Sequence, residues 1–189
     1  MIGTIGIGKH DHLEMTQYTT PDTIMTHQSI SKMVDQGIEN LVMEVSSHGI
    51  QQGRIKGVSY DTLILTNIKD HEHLDFHHTF ENYKQVKSSL FESSSCKYRI
   101  FNLDDQAGIE LYRKYHSTNN TFGYKVGHPE SSEHLSSVFY ATDINCSLNG
   151  LTFCAHSPWG NAIVRTRVTG TYNVYNLLAV IAALAVRKI

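Results

Sequence analysis

Three stretches of this chain hold side chains whose types and spacing could do chemistry. Glu44 sits near the end of the apolar run Asn40-Leu-Val-Met-Glu-Val45, and Ser46-Ser47-His48 follow it. A carboxylate there is either a solvated strand end or a ligand for a hard cation, and the hydroxyls and imidazole beside it favour the ligand. Further on, His71-Glu-His73-Leu-Asp75-Phe76-His77-His78 gathers four of the chain's 12 histidines. An imidazole-rich loop after a strand can bind a metal; each histidine alone reads as a surface residue, and the cluster together reads as part of a site. The third stretch centres on Lys87, four residues after Tyr83 and four before Phe91. That spacing puts the amine on a helical stripe otherwise apolar, either snorkelling outward or aimed into a site.

Two motif matches are weaker than they look. Gly3-Thr-Ile-Gly-Ile-Gly8-Lys9 fits GxxxxGK, the core of a phosphate-binding loop, but His10 stands where a Ser or Thr hydroxyl is needed. Only Met1 and Ile2 precede the motif and no helical pattern follows it, so a glycine-bearing buried strand is the better reading. The histidine cluster resembles the HxHxDH motif of metallo-hydrolases, with Phe76 in place of the last histidine and His77 one step late.

The elements that must position these residues alternate between strand and helix. Ile2 to Ile7 is expected to be a strand and Lys9 to Tyr18 a loop. A helix should open with Thr20 as N-cap and Pro21 at its first position, bury Ile24, Ile30, Met33 and Val34, and stop at Gly37. Strands are expected at Asn40 to Val45, Thr62 to Thr66, Tyr98 to Leu103 and Thr121 to Tyr124. Helices should run from Thr79 to Glu92 and onward from a cap at Asp104. Such alternation predicts an α/β fold with a doubly wound, mostly parallel sheet, whose chemistry collects at the carboxyl ends of strands, where Glu44 and Asn67 fall. Near residues 135–170 the pattern changes to a small antiparallel portion with turn signals at Asn149-Gly150 and Trp159-Gly160, and a helix from about Val174 to Val186 closes the chain.

The composition is that of one globular domain: 189 residues, 40% hydrophobic, 18% charged, formal net charge −2. Near-neutral charge leaves no footprint for nucleic acid and no polybasic stretch for a membrane. Three cysteines with no CxxC pair give neither a disulfide frame nor a zinc site, and a cytoplasmic protein is expected.

Taken together, the segments resemble the Mur ligase family, in particular the UDP-N-acetylmuramoyl-L-alanyl-D-glutamate ligases that make UDP-MurNAc-tripeptide. The resemblance is carried by Thr19-Thr-Pro-Asp22, Met43-Glu-Val-Ser-Ser-His48 with Gly53-Arg54, and Thr66-Asn67 leading to His73-Leu-Asp75-Phe-His77. It continues through Glu81-Asn-Tyr83 with Lys87 and Leu90-Phe91, Asn102-Leu-Asp-Asp105, and Gly170-Thr-Tyr-Asn-Val-Tyr-Asn176. It implies that Thr19, Thr20, Ser47 and Arg54 contact the UDP-MurNAc-dipeptide. Glu44, His73 and Lys87 would serve catalysis as magnesium ligands, with Lys87 carbamylated and so able to hold a second magnesium, and Asn173 and Asn176 would line the adenine pocket. The implied cofactors are ATP and Mg2+. The implied reaction phosphorylates the substrate carboxylate to an acyl phosphate, which an amino acid's amine then attacks to give an amide.

Residues 1–189 would then be an incomplete central domain. The first strand, the GTNGKTT phosphate loop and the first helix are expected upstream, with a UDP-binding N-terminal domain, and an amino-acid-binding domain is expected downstream. A monomer is expected, and the fragment alone should be inactive. One residue more than expected separates Asn67 from the His73 core, so His71 competes with His73 as ligand, and His78 replaces a usual glycine. The rival readings are a related amide ligase of the folylpolyglutamate or cyanophycin synthetase type, and a metal-dependent hydrolase built on His71 to His78.

Overall fold

A computed structural model describes residues 1–69, 74–93, 95–118, 120–129 and 136–189. His71 and His73 lie outside the described residues. The chain divides into two compact units: Met1–Ser59 with His73–Ser93, and Tyr60–Glu72 with Ser94–Ile189.

In the first unit, β1 (Ile2–Gly3), β2 (Gly6–Lys9) and β3 (His12–Glu14) form an antiparallel meander. The GxxxxGK match is therefore the turn and second strand of a hairpin, with Gly6 and Gly8 at φ 139° and 142°, not a phosphate cradle. The loop expected from Lys9 to Tyr18 contains β3, which pairs with β2 from Lys9↔His12 to Ile7↔Glu14. The strand expected over Asn40 to Val45 shrinks to one parallel bridge, Ile2↔Met43, held by Ile2 N–H to Val42 O and Glu44 N–H to Ile2 O at 2.9 Å each. Its partner β1 is only two residues long, so the ladder cannot extend.

Helix α1 (Thr23–Asp35) is capped by Asp22, whose carboxylate accepts from Met25 N–H at 2.9 Å; Thr20 is not the cap. Its inner face is Thr26 and Met33, while Ile24 and Val34 are exposed, against the expected stripe. The end is as expected: Gly37 at φ 72° sends its N–H to Val34 O, and Ile38 N–H reaches Met33 O, a Schellman turn. The short helix α2 (Ser47–Gln51), the turn α3 (Leu74–His77) and α4 (Phe80–Ser93) complete this unit. Among the described side chains of α4, Tyr83, Leu90 and Phe91 are buried.

The second unit is built on six strands hydrogen-bonded in chain order: β4 (Thr62–Leu65), β5 (Tyr98–Asn102), β6 (Thr121–Val126), β7 (Val138–Ser147), β8 (Gly150–Ser157) and β9 (Gly160–Thr166). The pairs from β4 to β7 are parallel and those from β7 to β9 antiparallel, the mixed sheet that the sequence predicts. Side chains alternate across each strand. Ile100, Phe122, Tyr124 and Phe139 meet α6 (Tyr172–Arg187), which contributes Val174, Leu178, Ala179, Ala182 and Val186 at helical spacing. Phe101 faces the other way and stacks on Tyr115 of α5 (Gln106–Tyr115) at 6.3 Å, so helices cover both faces of the parallel part.

The cap of α5 is Asp105, one residue later than expected: its Oδ1 accepts from Gly108 N–H at 3.0 Å. Asp104 instead accepts from Val126 N–H at 2.7 Å. Both hairpins of the antiparallel part close on the same four-residue pattern, Ser147-Leu-Asn-Gly150 and Ser157-Pro-Trp-Gly160. In each, the serine hydroxyl donates to the glycine carbonyl and accepts from the third residue's N–H. Among the described residues no helix is long and apolar enough to cross a membrane.

Candidate active site

The site assembles in the first unit around Glu44. The carboxylate is fixed by residues of the decoy motif: its Oε2 accepts from Thr4 N–H at 2.7 Å and from Thr4 Oγ1 at 2.6 Å. With its own proton committed to Glu44, Thr4 Oγ1 accepts from Thr19 Oγ1 at 3.0 Å, so Thr19, Thr4 and Glu44 form one polarised chain. Gly3 makes room for this. A Cβ at Gly3 would lie 2.9 Å from Glu44 Cδ. The second carboxylate oxygen, Oε1, receives no hydrogen bond from any described residue, and Glu44 is exposed.

Thr20 is wholly buried and works inward. Its hydroxyl donates to Glu44 O at 3.0 Å and accepts from Ser46 N–H at 2.9 Å, so it fixes the backbone on which Glu44 stands. The close approach depends on Gly49, whose added Cβ would fall 2.7 Å from Thr20 Cγ2. Arg54 reaches the same loop because α2 ends in a Schellman turn. Gly53 at φ 67° bonds Ile50 O and Arg54 N–H bonds Gly49 O, which folds Arg54 back. Its guanidinium donates to Thr20 O at 2.8 Å and to Gln52 Oε1 at 2.7 Å, and lies 4.8 Å above the Tyr18 ring.

Ser47 is buried too, and its Oγ is 2.9 Å from His77 Nε2. His77 packs against Phe76, His48 and Tyr83, with ring centroids at 4.9, 5.8 and 5.3 Å. Lys87 is half-buried, between the two readings of its stripe, and its Nζ lies 3.4 Å from the Tyr83 hydroxyl. Among the described residues no group of three or more His, Cys, Asp or Glu side chains forms a metal centre. A cleft of about 270 Å³ opens beside His77, His78 and Asn82, and His78 holds φ 65°, the left-handed conformation that glycine adopts most easily.

Asn173 and Asn176 belong to the second unit, on the first two turns of α6. Asn173 Nδ2 donates to Thr169 O at 2.6 Å, and Asn176 Nδ2 to Asn173 Oδ1 at 3.2 Å. In the same unit, Asn102 donates to Thr66 O at 2.8 Å and Asp105 Oδ2 accepts from Ile68 N–H at 2.9 Å. These two grips hold the chain as it leaves β4 past Asn67. The roles of Thr4, His77 and Asp105 escaped the sequence reading. Thr4 was hidden inside a false motif, and the pairing of Ser47 with His77 spans 30 positions.

Residues 1–184 match the Mur ligase middle domain, and the chain belongs to that family. It is 36% identical over 190 residues to the UDP-N-acetylmuramoyl-L-alanyl-D-glutamate--2,6-diaminopimelate ligase of Bacillus cereus, covering 97% of this chain and 37% of the relative. The enzyme of that name from Ectopseudomonas mendocina is 33% identical over 184 residues, covering 97% and 36%. A solved structure of such a ligase superposes with a TM-score of 0.82 at 29% identity, covering 98% of this chain and 36% of that one. The chain thus spans little more than a third of the length of these relatives.

Proposed function

We propose that this chain is the middle domain of an ATP-dependent ligase that joins an amino acid to UDP-MurNAc-L-Ala-D-Glu, forming the third peptide bond of a peptidoglycan precursor. The similarity to diaminopimelate-adding enzymes over nearly the whole chain carries this reading, and 2,6-diaminopimelate is the amino acid it favours. The substrate carboxylate takes the γ-phosphoryl group of ATP, and the amine displaces phosphate from the resulting acyl phosphate. Because the GxxxxGK match is a hairpin, the loop that grips the ATP phosphates is supplied from outside these 189 residues. The chain alone therefore has no ligase activity.

The residues present suit a hard divalent cation. Glu44 is exposed, cradled by Gly3, and keeps Oε1 clear of hydrogen bonds from described residues. Magnesium held by Glu44, by His73 and by Lys87 as its carbamate would offset the negative charge of the phosphate oxygens. The protein's own part is positional. Thr4 orients the Glu44 carboxylate and Thr20 holds its backbone. Thr19 and Arg54 lie on the same loop system, where they would meet the dipeptide. Ser47 points inward in this structure, so its share in substrate binding runs through the backbone of α2. Asn173 and Asn176 would meet the adenine.

The test is ADP release by the full-length protein with UDP-MurNAc-L-Ala-D-Glu and either diaminopimelate or lysine. Release that requires both the dipeptide and diaminopimelate is expected. Release with lysine alone would move the assignment of the amino acid, and release with neither amino acid would refute the ligase reading.

A further inference from the structure

We infer that His77 is a positioning residue that locks the loop bearing Glu44 to the helix bearing Lys87 and so, on the ligase reading above, sets how the two present themselves to magnesium. His77 and Ser47 are 3% and 2% exposed, and each offers the other a polar partner at 2.9 Å. Buried polar atoms of this kind are nearly always paired, and a pair across two loops fixes their register in a way apolar packing does not.

On one side, Ser47 opens α2 directly after Ser46. The Ser46 N–H bonds Thr20 Oγ1, which in turn bonds the Glu44 carbonyl. On the other side, the His77 carbonyl accepts from Thr79 N–H at 2.8 Å and Asn82 Nδ2 at 3.2 Å, at the entry to α4. The His77 ring lies 5.3 Å from that of Tyr83, whose hydroxyl is 3.4 Å from Lys87 Nζ. An unbroken run of buried or half-buried contacts therefore joins the backbone of Glu44 to the side chain of Lys87, and His77 is the member that crosses between loop and helix. Leucine could fill the same volume but could not hold Ser47. Glutamine carries an amide group at a reach comparable to Nε2 and could.

The experiment uses Mn2+ as the probe, titrated by electron paramagnetic resonance into the full-length protein and its His77→Leu, His77→Gln and Ser47→Ala variants, with thermal unfolding followed in parallel. Loss of a partner that orients a metal ligand typically weakens metal binding about 10- to 100-fold. His77→Leu should weaken Mn2+ by about tenfold on that scale, His77→Gln should restore most of it, and adding Ser47→Ala to His77→Leu should change little further. A folded His77→Leu protein with wild-type Mn2+ affinity overturns the positioning role while leaving Glu44 and Lys87 as ligands. Equal losses in the Leu and Gln variants also overturn it, since shape rather than the nitrogen would then matter. Absence of Mn2+ binding by the wild type, with Ser47 and His77 still coupled in thermal stability, overturns the ligand reading and reduces the contact to a structural one.

Discussion

Replacing Asp105 by alanine removes two hydrogen bonds that serve different elements. Oδ1 caps α5 through Gly108 N–H, and Oδ2 receives Ile68 N–H from the segment leaving β4. Loss of an N-cap costs about 1 kcal/mol. Ile68 is buried, so its N–H is left without a partner, which costs a further ~1–3 kcal/mol. The sum is about 2–4 kcal/mol, or a fall in Tm of roughly 6–12 °C for ~3 kcal/mol in a protein of this size. Urea unfolding followed by circular dichroism gives the loss from the midpoint at constant slope. Asp105→Asn keeps one carbonyl oxygen, enough for either the cap or Ile68, and should lose about half as much. Asp104→Ala is the comparison, because exposed Asp104 accepts from Val126 N–H and from the Tyr175 hydroxyl and lies 3.8 Å from Lys125, and so ties down no buried backbone N–H of the segment leaving β4. A loss below about 1 kcal/mol for Asp105→Ala, or one smaller than that of Asp104→Ala, would refute the two-sided role.

Other outcomes follow from contacts around the site. Gly49→Ala drives a methyl into Thr20 and should cost about 1–3 kcal/mol, read as a lower urea midpoint; an unchanged midpoint would show that α2 shifts freely. Gly3→Ala presses on the Glu44 carboxylate, whose flexible side chain can swing away, so Mn2+ affinity should fall with little loss of stability. The reverse pattern would make Gly3 a folding residue. Burial raises the Tyr60 hydroxyl from its ordinary 10 to about 12 and moves those of Tyr112 and Tyr124 upward as well. The folded state thus keeps protons that the unfolded chain gives up, and these tyrosines leave stability flat below about pH 10 and falling above it. Urea midpoints measured from pH 8 to about 11 check the sign, and a rise over the alkaline range would contradict it.

The second unit was largely legible because its strands and α6 carry their periodicity in local sequence. Residues Val174, Leu178, Ala182 and Val186 repeat at four-residue intervals and occupy the core as that pattern requires. Around Glu44 the reading was less complete. An apolar run such as Asn40 to Val45 looks like a strand whatever its neighbour, and only the two-residue length of β1 limits it to a bridge. The cap of α1 moved from Thr20 to Asp22 because Thr20 was needed elsewhere, with its hydroxyl divided between Glu44 and Ser46. Lys87 and Glu44 stood out because a charged group in an apolar pattern is conspicuous in one dimension. Thr4 and His77 act through partners 40 and 30 positions away, and no spacing rule reaches that far.

The twin serine-to-glycine hairpins also bear on the order in which the chain folds. Strands β7, β8 and β9 follow one another through two-residue connections, so their pairing closes short loops and forms on the microsecond scale of isolated hairpins. Pairing β4 with β5 must first close the long excursion from Leu65 to Tyr98, at a greater entropic cost. The hairpins of β7 to β9 should therefore lead, with mutations in Gly150 or Gly160 slowing refolding more than they speed unfolding, and those in β4 doing the opposite. In a growing polypeptide the earlier strands of this sheet would then wait, unpaired, for a template made after them.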